Sequence, residues 1–80
     1  MEQDIFIPKI DNQTTHCRLL EWRMEVGDRV DRGEILLVFE TQKANVEFES
    51  PVAGILIKIL VASGDWMEVS SPVAVMAVDD

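Results

Sequence analysis

Cysteine and histidine are nearly missing from this chain of 80 residues: Cys17 and His16 are the only ones. A single cysteine excludes an internal disulfide and agrees with a reducing compartment. The two residues are neighbours, and adjacent side chains of a strand point to opposite faces, so they form no working Cys–His pair. One histidine with one cysteine is also too few for a zinc site. Cys17, in an apolar stretch, reads as a small packed side chain. Basic residues are scarce as well: seven Lys and Arg stand against fifteen Asp and Glu, a formal charge of −8. That balance argues against nucleic acid as a partner, because neutralising phosphates takes clustered cations. It disfavours an anionic membrane surface for the same reason, and favours solubility and steering toward basic partner surfaces. No apolar run approaches the ~20 residues that span a bilayer. Met1-Glu2-Gln3-Asp4 lacks the basic start of a secretory signal. The expectation is an intracellular protein, cytoplasmic or, in a eukaryote, of the mitochondrial matrix.

Helix signals are weak too. Three prolines and four glycines cut the chain into short pieces rich in Val, Ile and Leu. The pattern predicts strands at Asp4–Ile7, Cys17–Met24, Ile35–Thr41, Ala44–Glu49, Gly54–Leu60 and Val73–Val78, with two very short ones at Arg29–Val30 and Trp66–Met67. Many short strands separated by turn signals indicate an all-β sandwich or barrel. The length makes one domain over residues 1–80. A domain of this size buries roughly 60–65% of its unfolded surface, enough for a modest core but not for a deep enclosed active site.

What is present is an internal repeat. Val26-Gly27-Asp28-Arg29-Val30 matches Ser63-Gly64-Asp65-Trp66-Met67, 37 positions later. The same offset pairs Leu36 with Val73, Val38 with Val75 and Phe39 with Met76, and Cys17-Arg18-Leu19-Leu20 with Gly54-Ile55-Leu56-Ile57. Each copy has a Gly-Asp turn, a short apolar pair and a longer apolar strand. One copy alone cannot bury its apolar face, but two facing copies can, which implies a flattened barrel with pseudo-two-fold symmetry. The second copy runs out where the first continues into Glu40-Thr41-Gln42-Lys43, so that turn is expected at the end of the domain opposite both termini.

Lys43 is one of three lysines, with Lys9 and Lys58. With Gln42 and Lys43 as the central residues of a hairpin, Thr41 faces Ala44, Phe39 faces Val46 and Leu37 faces Phe48, an apolar seam on one face. The other face carries Glu40 with Asn45 and Val38 with Glu47. An amine at such a tip is solvated and fixed at its base. It lacks the desolvation or neighbouring cation that a Schiff-base lysine needs, so its expected role is to be acylated by another enzyme. Acylation removes its charge and takes the chain from −8 to about −9.

The chain resembles the biotinyl/lipoyl attachment domains, and most the lipoyl domains of 2-oxo acid dehydrogenase acyltransferase components. The resemblance runs from Ile5-Phe6-Ile7-Pro8-Lys9 to Val73-Ala74-Val75-Met76. It rests on Leu20-Glu21-Trp22, Val26-Gly27-Asp28-Arg29-Val30, Gly33-Glu34-Ile35-Leu36, Glu40-Thr41-Gln42-Lys43-Ala44 and Ser50-Pro51-Val52-Ala53-Gly54, in order and spacing. It implies a flattened barrel of two four-stranded antiparallel sheets and lipoic acid in amide linkage to Lys43, with Glu40, Thr41, Gln42 and Ala44 as flanking recognition residues. It further implies a non-catalytic carrier, monomeric by itself. Its partners would be a lipoate ligase or lipoyl synthesis enzymes, a thiamine-diphosphate decarboxylase, an acyltransferase, and the flavoprotein dihydrolipoyl dehydrogenase. The carrier could be the N-terminal part of a longer acyltransferase or free-standing. Lipoyl domains usually carry Asp before the modified lysine, where this chain has Gln42. Biotin carriers flank theirs with Met on both sides, which this chain lacks. Cys17 stands where the family often has Gly, implying a slightly different turn there.

Two other readings stay open: a biotin carrier, and an unmodified docking module of the same fold. An autonomous enzyme is disfavoured, since no catalytic constellation is visible. Trp22 reads as a packing residue. Trp66, beside a Gly-Asp turn, reads equally as an interface residue or as partly packed. Glu40, Glu47 and Glu49 form either a guiding surface or a solvated strand face.

Overall fold

Eight strands and no helix make up the computed structural model, which describes residues 1–8 and 16–79. They are β1 (Glu2–Phe6), β2 (His16–Trp22), β3 (Arg29–Val30), β4 (Ile35–Glu40), β5 (Asn45–Glu49), β6 (Gly54–Ile59), β7 (Trp66–Glu68) and β8 (Pro72–Val78). All eight predicted strands are present, with no end shifted by more than two residues. Lys9 and Asp80 lie outside the described residues. The strands form two four-stranded antiparallel sheets, ordered β1-β8-β6-β3 and β5-β4-β2-β7.

The 37-residue repeat is a repeat of structure. It carries β2, β3 and β4 onto β6, β7 and β8, and the hydrogen bonds follow. Gly27 N–H donates to the Leu56 carbonyl at 2.7 Å, and Gly64 N–H to the Leu19 carbonyl at 2.7 Å. Leu56 N–H donates to Asp28 O and Leu19 N–H to Asp65 O, both at 3.0 Å. Each Gly-Asp turn therefore bonds to the first strand of the other copy, β6 or β2. Neither copy makes a complete sheet alone, because β3 completes the sheet of β6 and β8 while β7 completes that of β2 and β4.

The core comes from equivalent positions of both copies: Leu19 with Leu56, Leu36 with Val73, Phe39 with Met76, all fully buried. Burying a side chain of this size contributes about 1.5–3 kcal/mol, so the two halves stabilise each other. Strict alternation would expose one of Leu36 and Leu37, yet both are buried. The register of β4 on β5 shifts between Ile35 and Leu37, and such a bulge re-aims a side chain. The same irregularity recurs where β1 meets β8, and Val73 and Ala74 are both buried there.

Gly54 and Cys17 are equivalent under the repeat but differ in role. A Cβ on Gly54 would lie 2.1 Å from the Ala77 carbonyl oxygen, so only glycine lets β6 and β8 approach. Cys17 is not at an altered turn, as the family comparison had implied. It sits inside β2 opposite Met67, fully buried, and burial pushes its thiol above the ordinary range. The departure from glycine is accommodated by packing within the strand.

Candidate functional site

The β4–β5 hairpin has the register that the alternation of its sequence requires. Leu37 pairs with Phe48, Val38 with Glu47, Phe39 with Val46 and Glu40 with Asn45. Leu37 and Phe39 are fully buried and anchor the hairpin in the core, while Val46 and Phe48 pack against it. The loop is Gln42-Lys43, both exposed.

Thr41 holds the loop closed. Its backbone N–H donates to the Ala44 carbonyl at 2.9 Å. Its hydroxyl donates to the same carbonyl at 3.0 Å and accepts from the N–H groups of Lys43 at 3.3 Å and Ala44 at 3.2 Å. A threonine hydroxyl has one proton and two lone pairs, and all three are engaged. This explains why β4 ends at Glu40 and β5 begins at Asn45, one residue short of the predicted ends: the Thr41 hydroxyl takes the Ala44 amide, which a longer ladder would have paired with the Thr41 carbonyl. The backbone of Lys43 is thus fixed at its base while its side chain reaches solvent.

The repeat gives the hairpin a counterpart. In the other sheet, Val78 N–H donates to the Met1 carbonyl at 2.7 Å, in the place of the Thr41–Ala44 bond. Lys43 lies on the sheet that carries neither β1 nor β8.

Among the expected flanking residues, Glu40, Gln42 and Ala44 are exposed and Thr41 is half-buried. Glu47 and Glu49 are also exposed. Glu47 lies 3.8 Å from the Arg23 guanidinium, whose Nε also donates to Glu21. Trp22 is half-buried and donates its Nε1–H to the Val61 carbonyl at 2.8 Å, the packing role expected of it. Trp66 is 68% exposed. Arg18 was not singled out from sequence, yet register sets it between Trp66 on β7 and Glu40 on β4. The available signal was the alternation of His16-Cys17-Arg18-Leu19, which turns Arg18 outward beside a buried Cys17 and Leu19.

An exposed amine on a clamped two-residue loop suits covalent attachment of a carboxylic acid such as lipoate or biotin. The other lysine among the described residues, Lys58, lies within β6 and is paired with Val75. It shares no such presentation.

The family model for biotin and lipoyl attachment, described as "Biotin-requiring enzyme", matches residues 3–76. A dihydrolipoyllysine-residue succinyltransferase component of the 2-oxoglutarate dehydrogenase complex from Staphylococcus saprophyticus is 38% identical over 73 residues, covering 91% of this chain and 17% of its own length. A dihydrolipoyllysine-residue acetyltransferase component of the pyruvate dehydrogenase complex from Zymomonas mobilis is 40% identical over 78 residues, covering 96% of this chain and 18% of its own length. The chain thus spans less than a fifth of these curated relatives. Among solved structures, the lipoyl domain of the 2-oxoglutarate dehydrogenase complex from Azotobacter vinelandii matches with a TM-score of 0.76 and 22% identity, covering 92% of this chain and 94% of that one. The fold is that of a lipoyl domain, and the chain belongs to the biotin/lipoyl attachment-domain family.

Proposed function

We propose that Lys43 is lipoylated and that the domain is a non-catalytic acyl carrier of a 2-oxo acid dehydrogenase complex. The observation that carries this reading is the exposed Lys43 at the tip of a loop whose three hydroxyl bonds run through Thr41. A modifying enzyme, a lipoate ligase or a lipoyl synthesis system, supplies an activated lipoyl group R–CO–X. The lysine Nζ attacks the carbonyl carbon, the C–N amide bond forms and the C–X bond breaks. Nζ gives up two protons to that enzyme's bases, one to free its lone pair before attack and one as the amide forms, and X leaves with the electron pair. The two relatives, dihydrolipoyllysine-residue succinyltransferase and acetyltransferase components, support lipoate over biotin.

A lipoyl group held on Lys43 would supply a cyclic disulfide, the chemistry for reductive acyl uptake, and the partners in keeping with this reading are a thiamine-diphosphate decarboxylase, an acyltransferase and dihydrolipoyl dehydrogenase. The protein's own part is mechanical. The clamped hairpin fixes one end of the arm and leaves the other to swing, so the acyl unit is presented to each partner at high effective concentration. Glu40 and Gln42 beside the lysine give the site its identity to those partners.

A second reading, biotin attachment, has the breadth of the family in its favour. Parallel incubations with lipoate ligase and lipoate, and with biotin ligase and biotin, followed by intact-mass measurement, test the two. The expected result is a gain of one lipoyl group and no biotin. A biotin gain alone would replace the cofactor, and no gain in either arm would leave an unmodified docking module.

A further inference from the structure

The pseudo-symmetry supplies an internal control for surface residues. Where equivalent exposed positions of the two copies differ, the fold has not dictated the residue. Register aligns Trp66, Arg18, Glu40 and Asn45 across β7, β2, β4 and β5, and all four are exposed. The equivalent row of the other sheet is Arg29, Ile55, Ala77 and Glu2. At the place of Trp66 it has Arg29, which pairs with Asp79. The fold therefore accepts a charged residue where the lysine-bearing sheet holds a tryptophan that is 68% exposed. Trp66 and Arg18 also belong to the residue types that dominate protein–protein hot spots. Arg18 Nε donates to the Gly64 carbonyl at 3.3 Å, which holds the guanidinium alongside the turn that leads into Trp66.

Distance decides what this row can serve. Strands lie about 4.8 Å apart and rise about 3.4 Å per residue, so Trp66 stands roughly 10 Å across and 10 Å along from the tip of the hairpin, about 14 Å in all. A standard interface covers about 800 Å² on each partner, a disc of radius about 16 Å. An enzyme seated on Lys43 reaches Trp66.

We infer that the enzyme which acylates Lys43 grips this outer row, with Trp66 as the apolar anchor and Arg18 and Glu40 as the polar contacts that set its orientation. The inference rests on the proposed lipoylation of Lys43. Its partner is a protein that offers an apolar slot for the indole, a carboxylate for Arg18 and a cation for Glu40, in that order along one groove. The net charge of −8 adds long-range attraction to a basic surface of that kind.

Steady-state lipoylation by purified lipoate ligase, with lipoate and ATP and the carrier as varied substrate, tests it. Trp66→Ala is expected to raise KM for the carrier at least about tenfold with kcat within about twofold. Trp66→Arg, which installs the residue of the symmetry-related position, should do the same while keeping the far-ultraviolet spectrum and melting temperature of the unaltered chain. Arg29→Ala, at that position on the other sheet, should leave both constants unchanged. Unaltered KM in both Trp66 variants would overturn the inference while leaving lipoylation of Lys43 intact. Failure of the unaltered chain to gain mass would overturn the inference and the lipoylation it rests on together.

Discussion

Thr41 decides how well Lys43 is presented. Its hydroxyl bonds the Ala44 carbonyl and the amides of Lys43 and Ala44, and a net hydrogen bond is worth about 0.5–1.5 kcal/mol. The amides freed by its removal lie near the surface and regain water, so the losses do not add in full. Thr41→Val is expected to cost about 1 kcal/mol, lowering the melting temperature by roughly 4–8 °C. It should also slow lipoylation of Lys43, whereas Thr41→Ser, which keeps the hydroxyl, should retain most of the stability and rate. Scanning calorimetry and a lipoylation time course check both effects. The place of Lys43 at the tip of a hairpin was legible in the sequence, since alternating apolar segments flank it on both sides. The clamp was not, because the reach of a hydroxyl to three neighbouring groups depends on backbone angles that composition leaves open. Arg18 was missed for a similar reason: its place in the row beside Lys43 comes from pairing with strands distant in sequence.

The repeat makes a sharper comparison at the scale of turns and strands. Gly33 and Ser70 are equivalent positions, and both have positive φ, 93° and 85°. A residue with a Cβ pays about 1–2 kcal/mol in that region, while glycine loses about 0.5–1 kcal/mol through its freer unfolded chain. Ser70→Gly is therefore expected to stabilise the domain by about 0.5–1 kcal/mol, a rise of roughly 2–8 °C on melting. Gly54→Ala should act in the opposite direction. The new Cβ, 2.1 Å from the Ala77 oxygen, forces β6 from β8, and overpacking of this kind costs about 1–3 kcal/mol. A melting temperature lowered by roughly 4–24 °C is expected. Strand order along the chain and the repeat itself were readable because alternation and Gly-Asp turns are local signals. The bulges that bury both Leu36 and Leu37 were not, since a register shift follows from how two strands share a core. Cys17 divides the two: its apolar setting marked a small packed side chain, as found inside β2, whereas the different turn implied by the missing glycine is not there.

In the whole molecule, two interlocked copies give a small chain a core that neither copy has alone, and the symmetry is broken where function is expected. One sheet pairs Met1 with Val78, and the other closes the corresponding position with the Thr41–Ala44 loop that bears Lys43. The formal charge of −8 favours encounter with basic surfaces. Sheet number, symmetry and the position of the loop were all foreseeable from the repeat and the family resemblance. The face that a partner would grip was not, because it is assembled from residues of four strands. The most direct test of the account is to treat the chain with lipoate ligase, lipoate and ATP, digest it and map the modified residue by tandem mass spectrometry, beside a Lys43→Arg variant. One lipoyl group on Lys43 and none on the variant is expected. An unmodified chain, or an equal gain by the variant, would contradict it.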